Sequence, residues 1–292
     1  MKSSYFLFFL CFCFLQTSCS SFSKTKQSNL KIKNSSKDKV SFQFSMEEDA
    51  EDRIKYRSYT LKKTYINSQI SNEKTEIVEF LLRSKAKAVN PNNKIYQYEL
   101  STLQKDGFVD LKSLAFPELG EKILYTVDGR GKVLSAGVHP NDSEYSIPFF
   151  FAPEGEVAIG ETWVNEEEYN LSESGVPLRL ELTSILKKVL ECGLKTCAEI
   201  ELSGRVLMNG DYGDTQYESE FVGRMLVSTS DSRVLWQEIR TGESLGSKNT
   251  ELIVYSCIES KIVSPFHIAV AKDFDLDCVP NTEDSLYVKS PF

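Results

Sequence analysis

Asp273, Asp275 and Asp277 alternate near the C-terminus, and Asp284 follows seven positions later. Alternate carboxylates on an extended loop can converge on a hard cation, and a further acid can close its shell. A second spacing with chemical meaning is Gly242-Glu243-Ser244-Leu245-Gly246. G-x-S-x-G serves nucleophilic catalysis where a strand turns sharply into a helix and lifts the serine oxygen above a parallel sheet. Here the following GSKNTELIVYSC reads as a turn and another strand, with no helix to build an oxyanion hole. His267 also precedes the nearby acids, opposite to the hydrolase order. A serine hydrolase using Ser244 is carried only as an alternative, and no catalytic residue is assigned. His139 and His267 are the two histidines and lie 128 positions apart, which excludes a double-histidine zinc motif. His139, before Pro140, reads as exposed, and His267 as a packed or surface residue. Glu166-Glu167-Glu168 and Glu47-Glu48-Asp49 read as solvated strand ends.

The cysteines point to structure rather than reaction. Cys11 and Cys13 sit inside an apolar run and read as filler. Beyond Cys19 there are four: Cys192, Cys197, Cys257 and Cys278. An even number in an exported chain favours disulfides, and four cysteines allow three connectivities. Cys192–Cys197 with Cys257–Cys278 is the most economical, since ECGLKTC reads as a hairpin closed by its own bridge. Loop entropy assigns these closures about 2 and about 3 kcal/mol. Cys-x4-Cys has neither thioredoxin-like nor zinc-knuckle spacing.

The strongest localising feature is the N-terminus. Lys2 is followed by the eleven-residue run Tyr5 to Leu15, then Gln16-Thr17-Ser18-Cys19. This is the layout of a secretory signal peptide over residues 1–18. As a helix the run reaches only about 16 Å, half of a hydrocarbon core. Leu15-Gln16-Thr17-Ser18 before Cys19 resembles the lipobox of bacterial lipoproteins, with Gln16 where that family prefers an aliphatic residue. The resemblance implies cleavage before Cys19, acylation of its thiol and membrane lipid as a partner. Ser20 in place of an aspartate then implies the outer membrane. At the other end, D-x-D-x-D-x-V-P-N-x-x-D over residues 273–284 resembles the thrombospondin type 3 calcium-binding repeat. In that family, residues matching Asp273, Asp275, Asp277 and Asp284 help bind calcium. Leu276 and Cys278 replace the usual glycines, so residues 263–292 are read as a solvated acidic tail pinned by Cys278. No metal or other cofactor is assigned, and a calcium-stabilised adhesion module remains an alternative.

Residues 1–39 hold seven Lys and one Asp, so a net charge of −8 leaves −14 on residues 40–292. An acidic globule on a basic tether (residues 19–39) argues against nucleic acid. Between residues 40 and 262 the pattern is that of strands. Val40, Phe42, Phe44 and Met46 alternate with polar residues, as do Leu178, Leu180 and Leu182, then Ala198, Ile200 and Leu202, while Tyr217, Ser219 and Phe221 continue the theme between Glu218 and Glu220. Such strands have one wet face and belong to antiparallel sheets. Asp128-Gly129-Arg130-Gly131 and Ser230-Asp231-Ser232 read as hairpin turns, and Asn90-Pro91-Asn92-Asn93 and Asn209 to Gly213 as further breaks. Residues 73–88 suit a strand slightly better than a helix. Residues 123–137 and 225–238 echo one another, each a strand, an Asp-centred turn and a return. The expected fold is all-β: antiparallel sheets forming a sandwich or open half-barrel of about a dozen strands, with that echo pointing to two related halves. Pro153 to Trp163 reads as a crossover between them, its indole on the core. The expected role is non-catalytic, a binding or structural module that could hold an apolar ligand or a protein partner on a concave face.

Overall fold

A computed structural model describes residues 39–90, 92–107, 110–172, 174–192, 195–210, 213–263 and Cys278. Eleven strands form one sheet: β1 (Glu51–Ile66), β2 (Gln69–Asn90), β3 (Ile95–Asp106), β4 (Lys122–Asp128), β5 (Val133–Ala136), β6 (Thr162–Asn170), β7 (Pro177–Cys192), β8 (Lys195–Met208), β9 (Gln216–Ser228), β10 (Val234–Ser247) and β11 (Thr250–Ile262). Their order is β5-β4-β3-β2-β1-β11-β10-β9-β8-β7-β6. Every neighbouring pair is antiparallel, and all but one are consecutive in sequence. The exception is β1 with β11, joined from Ile54↔Ile262 to Ile66↔Thr250. The chain is therefore an up-and-down meander whose first and last strands meet, while the sheet stays open between β5 and β6. This is the open, half-barrel form of the expected all-β fold.

Alternation sets the two faces. Leu178, Leu180 and Leu182 of β7 and Ala198, Ile200 and Leu202 of β8 turn inward and are buried, while Arg179, Glu181 and Arg205 form an ionic ladder outside. Gly204 sits inward between β7 and β9, and the Phe221 ring fills the space over it. The two edge strands differ. β5 has only four residues, while β6 carries Glu166, Glu167 and Glu168 along its middle rather than at an end. Short or charged edges resist pairing with another chain. Residues 73–88 lie within β2, as strand.

Two apolar clusters fill the inner face. One gathers β7, β8 and β9 residues around Leu186, Ile200 and Val227. The other gathers β1 to β4 residues around Phe80, Leu82, Leu100 and Tyr125. Residues 39–46 link them. Val40 and Phe42 pack into the first cluster, Phe44 and Met46 against the second. The sequence alternation over 40–46 identifies the buried side chains but not the backbone partners: this segment joins no strand ladder and is a strap. It makes one isolated bridge, Val40↔Val157. Phe44 N–H donates to Gly129 O (2.9 Å) and Ser45 N–H to Asp231 O (3.4 Å), in the β4–β5 and β9–β10 turns. The two hairpins that echo in sequence thus both face the strap. The β5–β6 connection lies beside it, with Phe42 edge-on to Phe150 at 5.1 Å. Trp163, at the entry to β6, packs on the core and donates Nε1–H to Phe151 O at 2.9 Å.

Both expected cysteine pairs form disulfides, Cys192–Cys197 across the β7–β8 hairpin and Cys257–Cys278, each with Cα atoms 5.9 Å apart. That separation is within the usual range. The Cys278 amide also donates to Glu259 Oε2 at 2.9 Å. Among the described residues no helix is long and apolar enough to cross a membrane.

Candidate functional site

Beneath the strap the two clusters do not quite meet. A cavity of about 90 Å³ remains, lined by Phe44 and Met46 of the strap, by Ile54, Tyr56, Leu82, Tyr98 and Leu100 of the sheet, and by Phe149 of the β5–β6 connection. Aromatic packing shapes its wall. Tyr56 stacks on Phe80 at 5.0 Å, and Tyr98 on Tyr125 at 5.2 Å. Burial pushes the Tyr56 hydroxyl up to about 12 despite a hydrogen bond with Ser260, and pushes Tyr98 well above the ordinary range. Both rings are therefore neutral at physiological pH and present hydroxyls, not charge, to the interior.

A polar side closes the cavity toward the strap end, with Asp52, Ser84, Arg233, Gln237 and Ser260. Arg233 bonds to Asp52 through Nη1, and to Asp231 through Nη2 at 2.7 Å and Nε at 3.0 Å. Lys195 reaches the same Asp231 oxygen at 2.7 Å. Burial would raise the Asp231 carboxyl, but Arg233 and Lys195 outweigh it and hold it at about 2. Burial opposes the Arg233 charge too, yet the Asp52 and Asp231 carboxylates raise its pKa. The chemistry is that of an apolar slot with a fixed ionic rim. The sequence reading missed this network, because its members lie up to 181 positions apart.

At the far end the inner face turns polar. Thr60 and Ser256 hydroxyls meet at 3.1 Å. Glu243 lies near Thr241 at 3.3 Å, and burial raises its carboxyl despite that bond.

Among the described residues, those singled out by spacing are not assembled for reaction. Ser244 sits in the regular β10 ladder opposite Glu218 and Ile253, with no strand-to-helix elbow, and its hydroxyl donates to Glu251 at 3.0 Å. Gly242, Ser244 and Gly246 instead occupy alternate positions of one strand face, beside a polar surface hollow bounded by Tyr65, Asn67 and Asp214. His139 is only partly exposed, because it stacks on Tyr145 at 3.6 Å, and burial lowers its pKa. Glu238, Cys257 and Cys278 approach within 4.8 Å of one another, but the two sulfurs are joined to each other and offer no thiolate. Cys19, His267, Asp273, Asp275, Asp277 and Asp284 lie outside the described residues.

No protein-family model matches this chain, and no curated protein matches it. Among solved structures, an outer membrane channel from Pseudomonas putida F1 aligns over 75% of this chain and 97% of that chain, at 9% identity and a TM-score of 0.23. A likeness of that degree carries no argument about fold or activity.

Proposed function

We propose that this chain is a lipid-anchored bacterial envelope protein whose interior binds an apolar group without chemical conversion. The cavity beneath residues 44–46 is the observation that carries the binding part: a partly open, mainly apolar space with neutral tyrosine side chains and one polar side. Ligand sites combine an apolar lining with a few placed polar groups in this way. The anchoring part rests on the apolar run ending at Cys19, with the outer membrane favoured by Ser20. Two or three acyl chains anchor stably where one does not.

Photolabelling tests the binding part. The full chain in membranes is irradiated with palmitic acid carrying a diazirine, and adducts are mapped by mass spectrometry. Adducts on Tyr98, Leu100 or Phe149 are expected, and Leu100→Trp, which fills the cavity, should remove them without unfolding the protein. Adducts confined to the surface, or unchanged in Leu100→Trp, would sink the reading. For the anchor, Cys19→Ala should appear as soluble protein or uncleaved precursor. A processed, membrane-bound Cys19→Ala chain without acyl label would contradict it.

A further inference from the structure

The cavity is too small for a whole ligand. At about 90 Å³ it falls below the roughly 150 Å³ that accepts one benzene. What fills the rest of the space between the clusters is the chain itself, and the shape of that filling describes what could replace it. From Val40 to Met46 the strap lays one apolar side chain inward at every second residue. At about 3.3 Å per residue the strap's path is ~20 Å long. A long saturated acyl chain has that length, and its flexible methylenes can follow a path now filled by four spaced apolar side chains, as a rigid fused-ring lipid cannot.

The strap is also fastened differently from the strands around it. Its backbone bonds are the Val40–Val157 pair (2.8 and 2.9 Å), Phe44 to Gly129 and the long Ser45 to Asp231 contact. None of these belongs to the sheet's ladders, so its departure leaves the pairing of β1 to β11 intact. What holds it is side-chain burial, and an acyl chain entering the same slot restores that burial. We infer that residues 39–46 occupy the path of an unbranched long-chain acyl group and must leave for it to enter, so strap and ligand exclude one another. This rests on the binding reading above and adds the ligand's class and its gate.

Val40 and Val157 exchange both backbone bonds, a geometry with Cα atoms about 5.5 Å apart that a disulfide can span. The test uses the full chain in phosphatidylethanolamine–phosphatidylglycerol vesicles, wild type beside Val40→Cys with Val157→Cys. Each single-cysteine variant serves as control, and Phe42→Ser with Phe44→Ser weakens the strap. Two probes are used, diazirine palmitic acid and a phosphatidylethanolamine bearing the diazirine on one acyl chain, and whichever labels the interior identifies free acid or membrane lipid as the source. Once non-reducing peptide maps verify the bridge, interior adducts should fall at least about tenfold in the locked protein and rise in the weakened one. Equal labelling of the locked protein and its single-cysteine controls would overturn the gate while leaving the binding reading standing. No interior labelling in any variant, with melting curves showing folded protein, would overturn both.

Discussion

The β4–β5 and β9–β10 turns accept the successive Phe44 and Ser45 amides of the same strap, at Gly129 and Asp231, yet they are built from different chemistry. In the first, Asp128 Oδ1 accepts the amides of Arg130 (2.8 Å) and Lys132 (2.9 Å), all within five residues and exposed to water. In the second, Asp231 is buried and binds Lys195 of β8 and Arg233, which crosses to Asp52 of β1. One turn can form wherever its own sequence is present. The other has local bonds too, Ser228 N–H to Arg233 O (2.9 Å) and Arg233 to Asp231, but its charges are fully paired only once β1 and β8 are in place. Strap retention on the β9–β10 side is thus tied to the closure of β1 on β11, whereas on the β4–β5 side it is local.

The largest effect should come from cutting the ionic centre. Arg233→Met leaves Asp52 buried without its arginine and Asp231 with Lys195 alone, a loss of about 3–5 kcal/mol in urea unfolding. If it costs no more than a change in the β4–β5 turn, the contrast between the turns fails. Phe42→Ala removes the side chain most buried by the strap and should cost about 3 kcal/mol, read by the same method.

Acid sharpens the difference further. Asp231 has a folded pKa of about 2, below its ordinary 3.8, so its contribution is complete above the ordinary value and lost as pH falls toward 2. That is about 2 kcal/mol across pH 4 to 2, seen as a drop in denaturation midpoint that Asp231→Asn flattens. Glu243 runs the other way. Its raised pKa makes the folded state more favourable below the ordinary carboxylate range and less so as pH rises through the folded value. Glu243→Gln should therefore melt higher than the parent at neutral pH, and an unchanged or lower melting temperature would count against its burial. The smallest effect belongs to Asp128→Ala, about 1 kcal/mol or less, since water can replace an exposed acceptor.

What the sequence disclosed follows from this same division. Leu178-Leu180-Leu182 and Ala198-Ile200-Leu202 revealed strands because period-two burial is a local pattern. Asp128-Gly129 and Ser230-Asp231 revealed turns because their chemistry is local as well. Val40 to Met46 has the same period without being a strand, since alternation reports which side chains are buried and says nothing of backbone partners. The Asp52–Arg233–Asp231–Lys195 centre carried no signal: four charged residues from three segments, with Asp231 and Arg233 sharing one turn, look like solvated ones until the sheet closes. The cavity was hidden for the same reason, its wall being drawn from the strap, β1 to β3, β10, β11 and the β5–β6 connection. Ser244 shows the converse, where a motif is complete in sequence but its surroundings are a plain antiparallel ladder.

Amide hydrogen exchange at Val40, Phe44 and Val157 tests most directly whether residues 39–46 close the interior. The three amides should exchange slowly in the protein alone, Val40 in step with Val157 because they share one bridge, and Val40 and Phe44 should lose protection when palmitate is added while β7 and β8 stay protected. Fast exchange of Val40 and Phe44 without ligand, alongside protected strands, would contradict a strap that fills the half-barrel.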